Sequence, residues 1–334
     1  MLPLALRLAA LFVVGAWLGS LVNWAIYTLA WNPRPISPWS PFESRRTWFD
    51  RVPILGWFAL RREAAAHGPW FWLRPLVLEI ATGAAIAALY WWEVDQAALV
   101  RGQIGDGIVP PAIPLHFQFV SHVLLLCLML AASFIDIDEK IIPDEITVPG
   151  TVLGLGLATL VPMSLLPHVN VRAAAPEVGV PLMNAVGGGQ AAVANGGLLW
   201  LEPVTATGPN DWPPWAAAGD WRALAIGLAC YWLWCFALAP RIWRGRHSVR
   251  FALRLILARL SREFTRPPLR RFLLWGTAII VFVWAIRADA AWTGLLTSLI
   301  GLAASGGIVW AVRLIGPAAL RREAMGFGDV TLMM

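Results

Sequence analysis

Seven runs of apolar residues alternate with short polar stretches along the chain, at approximately 8–30, 70–92, 116–135, 145–166, 221–240, 272–288 and 293–315. About 20 residues of helix cross a hydrocarbon layer about 30 Å thick. The pattern predicts an all-α, polytopic transmembrane bundle of about seven full spans plus the start of an eighth. The first run is longer than the roughly 7–15 apolar residues of a signal peptide and no A-x-A site follows it, so it reads as a span. Between spans, residues 93–115 are short and interrupted by Pro and Gly. Residues 167–220 are long, weakly charged and rich in turn residues such as Gly187–Gly189 and Gly196–Gly197; they predict an irregular extracytoplasmic loop.

Composition supports this reading. The 334 residues are 58% hydrophobic and 14% charged, against roughly 25% charged in soluble domains. A net charge of +6 raises the question of a nucleic-acid partner, but the basic residues cluster in short stretches between apolar runs, which is how membrane proteins distribute them. With the N-terminus outside, 21 of the 26 basic residues fall in cytoplasmic loops or at cytoplasmic span ends. Only Arg7, Arg101, Arg172, Arg222 and Arg287 fall outside. The positive-inside rule thus predicts a multi-pass protein of the cytoplasmic (inner) membrane, with the bilayer as its solvent and no nucleic-acid partner. The Arg-rich stretch 249–264 reads either as a helix lying on an anionic leaflet or as a solvated loop. Cys127, Cys230 and Cys235 lie inside apolar runs and form no zinc or disulfide pattern.

Candidate chemistry lies where acids meet apolar helices, since ionisable groups at such positions are costly and mark function by default. One place is Phe134-Ile-Asp136-Ile-Asp138-Glu139-Lys140-Ile-Ile-Pro143-Asp144-Glu145; the other is Met325-Gly326-Phe327-Gly328-Asp329. Asp144, after Pro143, suits a helix start, where a carboxylate is favoured. Asp136 has no such explanation. On the arginine-derived orientation Asp136 ends the third span on the cytoplasmic side, and Asp329 enters from that same side, so the two can meet. Two close carboxylates share a proton and divide into acid and base, the arrangement that activates water against a peptide carbonyl. Gly326 and Gly328, lacking side chains, would let an extended peptide approach beside Asp329. Asp138, Glu139 and Asp144 read as acids that attract a basic peptide or as an ordinary acidic turn. A lone His67 is not a metal site.

At these residues the chain resembles the prepilin peptidases, the type IV leader peptidase family of GxGD aspartic proteases. Ile135–Thr147 is similar to the family's IDxxxxxIPDxxT and Met325–Asp329 to its MGFGD, so the resemblance places the catalytic pair at Asp136 and Asp329. It extends to Gly19-Ser20-Leu-Val-Asn23, to Phe49-Asp50-Arg51-Val-Pro-Ile-Leu-Gly56-Trp57, and to Arg74, Glu79 and Thr82-Gly83. It implies two regions: residues 1–92, like the family's methylation-linked N-terminal domain, and residues 116–334, the peptidase domain, interrupted by an insertion at about 167–290. The implied activity is removal of the basic leader from a type IV prepilin or pseudopilin precursor. The peptidase step needs no cofactor. Residues 31–69 lack the cysteine pairs that bind zinc in many members, which leaves N-methylation, with S-adenosylmethionine as its donor, open. The chain stops five residues after Asp329, so it reads as truncated within its last span. The competing reading is a catalytically inactive assembly factor or a proton-coupled transporter, although no internal repeat of the transporter kind is visible.

Overall fold

The structure is a computed structural model that describes residues 2–40, 46–104, 108–172, 180–181, 183–184, 198–208, 210–238, 258, 262 and 267–320. The Arg-rich stretch 249–264, apart from two of its residues, and the Met325–Asp329 segment lie outside the described residues. Ten helices are described: α1 (Leu4–Thr28), α2 (Leu55–Leu60), α3 (Ala64–His67), α4 (Leu73–Tyr90), α5 (Ala98–Arg101), α6 (Ala112–Glu139), α7 (Asp144–Leu160), α8 (Trp221–Ala237), α9 (Pro267–Ala285) and α10 (Asp289–Leu320). Each of the seven apolar runs holds one of them. Among the described residues, four stretches are long and apolar enough to cross a membrane: Leu4–Thr28, Leu73–Arg101, Ala112–Glu139 and Asp289–Ala311. α7 and α8 have 17 residues each and α9 opens on Pro267-Pro-Leu-Arg-Arg, so these three fall short of that measure.

The expectation of an irregular loop at 167–220 needs correction. β2 (Pro167–Arg172) pairs antiparallel with β5 (Leu198–Pro203), and β5 with β3 (Val180–Pro181); β1 (Ile108–Val109) pairs with β4 (Met183–Asn184). The described residues are therefore mostly helical with two small sheets. Leu199 and Leu201 of β5 are buried with Ala97, Val100 and Leu115, and Gln103 accepts a hydrogen bond from the Val169 N–H at 2.9 Å. This small apolar core is what holds the strands.

The described chain divides into two compact units, residues 1–154 with 163–203, and residues 155–162 with 204–334. In the first, α1 packs along α4 through small residues. A Cβ on Gly15 would lie 2.8 Å from the Gly83 Cα, one on Gly19 2.8 Å from the Glu79 Cα, and one on Gly83 2.8 Å from the Phe12 carbonyl oxygen. Lipid tails are as apolar as leucine, so close backbone approach, rather than the hydrophobic effect, drives association of membrane helices. The opposite face of α1 leaves Val13, Val14, Trp17 and Leu21 exposed, as a lipid-facing surface requires. In the second unit, Gly227 of α8 faces Trp292, Leu296 and Leu299 of α10. The Tyr231 hydroxyl donates to the Phe272 carbonyl at 2.8 Å, and the Trp292 indole N–H to the Ala216 carbonyl at 2.9 Å.

Candidate functional site

α6 ends at the acidic turn. Lys140 takes a left-handed conformation (φ 59°), and its N–H donates to the Asp136 carbonyl at 2.8 Å, closing the helix. Pro143 follows, and its carbonyl accepts from the Ile146 N–H at 3.1 Å. Asp144 and Glu145 thus fall in the first turn of α7, where the exposed N–H groups favour negative charge.

The three acids that end α6 have different fates. Asp138 is clamped between two guanidiniums: Arg34 Nη2 at 2.5 Å and Arg74 Nη1 at 2.8 and 2.9 Å from the two carboxylate oxygens. Arg74 also donates to the Phe134 carbonyl at 3.4 Å and lies 4.9 Å from the centre of the Phe134 ring. Glu139 accepts from the Trp31 and Asn32 N–H groups at 2.6 and 3.0 Å. Asp138 and Glu139 are thus tied into the protein's own contacts. Both are engaged in holding α6 to the segment that follows α1. Asp136, half-buried between the buried Ile135 and the exposed Ile137, has no side-chain hydrogen bond or ion pair among the described residues. Asp144 is exposed. A cleft of about 410 Å³ opens beside these residues, lined by Trp31, Asn32, Arg34, Asp138, Glu139 and Ile141. Asp329, Gly326 and Gly328 lie outside the described residues.

The N-terminal motifs converge on a second, buried polar cluster. Glu79 of α4, fully buried, accepts from the Ile54 N–H at 2.6 Å and from Asn23 Nδ2 at 3.4 Å. The same amide donates to the Pro75 carbonyl at 3.0 Å, and the Trp39 indole N–H reaches Ser20 Oγ at 3.1 Å. Ile54 adopts φ 65°, costly for a β-branched residue, and its N–H bond to Glu79 holds it there. Next to it, Asp50 accepts two bonds from Arg62, at 2.8 and 2.6 Å, and one from the Thr47 N–H at 2.7 Å. The Arg62 bonds, with help from Thr47 and against burial, lower the Asp50 carboxyl to about 2. Any Cβ on Gly56 would strike the Asp50 carbonyl, so that position must be glycine. The cluster and the clamp share α4: Arg74, which bonds Asp138, lies five residues before Glu79.

One contact that the sequence does not announce joins the turn after α4 to α6. Glu93, 2% exposed, lies 2.6 Å from His122 Nδ1. A histidine inside one apolar run and an acid at the edge of another were the available signal.

Residues 123–239 match the model of the type IV leader peptidase family. The prepilin leader peptidase/N-methyltransferase of Myxococcus xanthus (strain DK1622) is 26% identical over 183 residues, covering 53% of this chain and 48% of that protein. The chain resembles the prepilin peptidases. It spans about half the length of the curated relative it matches, and no solved structure matches it. The family match contains Asp136 and Asp144 and ends before Met325–Asp329. The relative's name joins peptidase to N-methyltransferase.

Proposed function

We propose that this chain is a membrane-embedded aspartic endopeptidase that removes the basic leader from type IV prepilin-like or pseudopilin precursors at the cytoplasmic face. The observation that carries the reading is the contrast at the end of α6. Asp138 and Glu139 are held by hydrogen bonds and ion pairs, whereas Asp136, inside the family match, leaves its carboxyl unengaged among the described residues. A rigid support with one unspent acid is what general acid–base chemistry needs.

In the proposed reaction Asp136 and Asp329 share one proton. The ionised member takes a proton from water as its oxygen attacks the scissile carbonyl, and the protonated member gives its proton to the carbonyl oxygen. The resulting gem-diol then collapses. One diol hydroxyl returns its proton to a carboxylate, the C–N bond breaks, and the departing amine takes a proton from the other acid. Gly326 and Gly328 would let the substrate strand lie beside Asp329, and Asp144 would contact the leader. Residues 1–92 position the pair, the N-terminus lies outside, and no cofactor takes part in this step.

The test is leader removal from a tagged prepilin-type precursor in membranes. Asp136→Ala and Asp329→Ala should each slow processing by about 10²-fold or more, the usual loss for a general acid or base. Retained processing in both variants ends the dyad assignment.

A further inference from the structure

Residues 29–72 leave one membrane-crossing stretch, α1, and enter the next at α4, so they lie at a single face of the bilayer. On the orientation that the arginines predict, that face is cytoplasmic. Four arginines of this region and the start of α4 are matched to carboxylates: Arg34 and Arg74 to Asp138, Arg46 to Glu63 and Arg62 to Asp50. Arg51 and Arg61 are not. Both are exposed, and neither has an ion pair or a side-chain hydrogen bond among the described residues. Each lies over aromatic rings instead. The guanidinium carbon of Arg61 is 3.8 Å from the centre of the Trp72 ring and 4.9 Å from that of Phe58; that of Arg51 is 5.4 Å from the centre of Trp39.

The stacked arginines belong to a surface that is apolar between its charges. Trp48, Phe49, Leu55, Phe58 and Trp70 are exposed, Trp48 by 77% and Trp70 by 70%. This surface runs into the lipid-facing sides of two spans. Along α4, Leu73, Val77 and Ile80 are exposed at the spacing of one helix face, starting three residues after Trp70. On α1, the exposed Trp17 packs against Trp39 with ring centres 6.2 Å apart. Aromatic side chains gather where a bilayer meets water, and arginine keeps its charge at that level while its stem lies on apolar surface. A stacked guanidinium with its five N–H donors unspent suits a phosphate, which it can bind through a planar, bidentate fork.

We propose that the aromatic surface of residues 48–72 seats in the headgroup layer of the bilayer, and that Arg61 and Arg51 bind the phosphates of anionic phospholipids there. Two observations choose this occupant. The surface continues into the faces that α1 and α4 turn to lipid. Its unmatched charges are both positive, while the neighbouring acids, Asp50 and Glu63, are already paired with Arg62 and Arg46. The same charges would repel a basic leader, so this surface is separate from the proposed peptide site and does not depend on the peptidase reading. A basic residue close to an anionic leaflet contributes about fivefold in affinity.

The experiment uses the full chain in nanodiscs of phosphatidylcholine and phosphatidylglycerol in equal parts, with a photocrosslinking residue in place of Trp70 and the captured lipid identified by mass. The expected result is capture of phosphatidylglycerol over phosphatidylcholine by about fivefold. Arg61→Ala should bring the ratio close to even. Arg61→Lys, which keeps the charge without the fork, should keep part of the excess. Arg51→Ala, with the crosslinker in place of Trp48, gives a second and independent reading. A crosslinker at Ile113, exposed at the opposite end of α6 from Asp136, should capture both lipids evenly. The proposal is overturned if capture at Trp70 is even with both arginines present, if the excess survives both alanine substitutions, if Ile113 shows the same excess, or if only protein is captured. An excess abolished by inorganic phosphate, but not by sodium chloride of equal ionic strength, would mark a site for free anions and overturn the lipid assignment.

Discussion

Arg74→Ala tests whether the N-terminal region positions Asp136. The substitution removes two bonds to Asp138 at 2.8 and 2.9 Å and one to the Phe134 carbonyl at 3.4 Å, together with the guanidinium over the Phe134 ring. A hydrogen bond to a charged group is worth about 1.5–3 kcal/mol. The Arg74 side chain is 35% exposed and Asp138 keeps Arg34, so solvent screening and the remaining partner reduce the loss to about 1–2 kcal/mol. Activity should suffer more than stability. Displacing a reacting group by about 1 Å costs about 10²-fold, and the loss should appear in kcat with KM little changed, because Arg74 lies outside the cleft beside the acids. Arg74→Lys keeps the charge without the planar fork and should recover only part of it. The assays are melting in detergent and leader-removal kinetics for Arg74→Ala, Asp138→Asn and the double variant. The two single effects should overlap, with a coupling of about 1 kcal/mol. Strict additivity would refute the clamp.

Two further outcomes follow from the geometry. Asp50 is lowered from 3.8 to about 2 in the folded chain, so its contribution is fully present above pH 3.8, falls as pH drops through about 2, and amounts to about 2 kcal/mol. Melting followed between pH 5 and 2 should show this loss in the wild type and a flatter profile in Asp50→Asn; equal slopes would remove Asp50 from the account. Gly83→Val should push α1 from α4 and destabilise by about 1–3 kcal/mol. Gly154→Ala, where a Cβ would meet nothing within 4 Å, should be neutral or stabilising by up to about 1 kcal/mol in a helix, and a matching loss at both positions would contradict the close-packed seam.

The helices were legible because each apolar run is long enough to hold one and is bounded by polar stretches. The sheets were not. β2 and β5 pair across 25 intervening residues, many of them glycine and proline, and a local reading registers the turn residues and not the pairing. The acidic turn shows a different limit. Asp136, Asp138 and Glu139 look alike in a string, and helical spacing does not say which are spent. That depends on Arg34 and Arg74, 104 and 64 residues away from Asp138, and on two backbone N–H groups after α1. Glu93 closes an apolar run, where an acid suggests a loop. The π-helical turn, Trp91–Asp95, that carries it inward leaves no mark in hydropathy.

The missing cysteines bear on how the N-terminal region stays folded. A loop such as 31–69 must be closed by something, and without thiolates tetrahedral zinc is not an option there. Ion pairs close it here. Arg46, 1% exposed at its side chain, bonds Glu63 at 2.6 Å and also the Ser37 and Pro35 carbonyls, while Arg62 bonds Asp50. Breaking a buried pair by removing one partner costs about 3–5 kcal/mol, enough to unfold a local unit. The bonds from Ile54 to Glu79 and from Arg74 to Asp138 then pass that closure to α4 and to the end of α6. On the proposed peptidase reading, this network would hold the helix end rigid before substrate arrives, so that the ordering cost is met in folding and not at the moment of reaction.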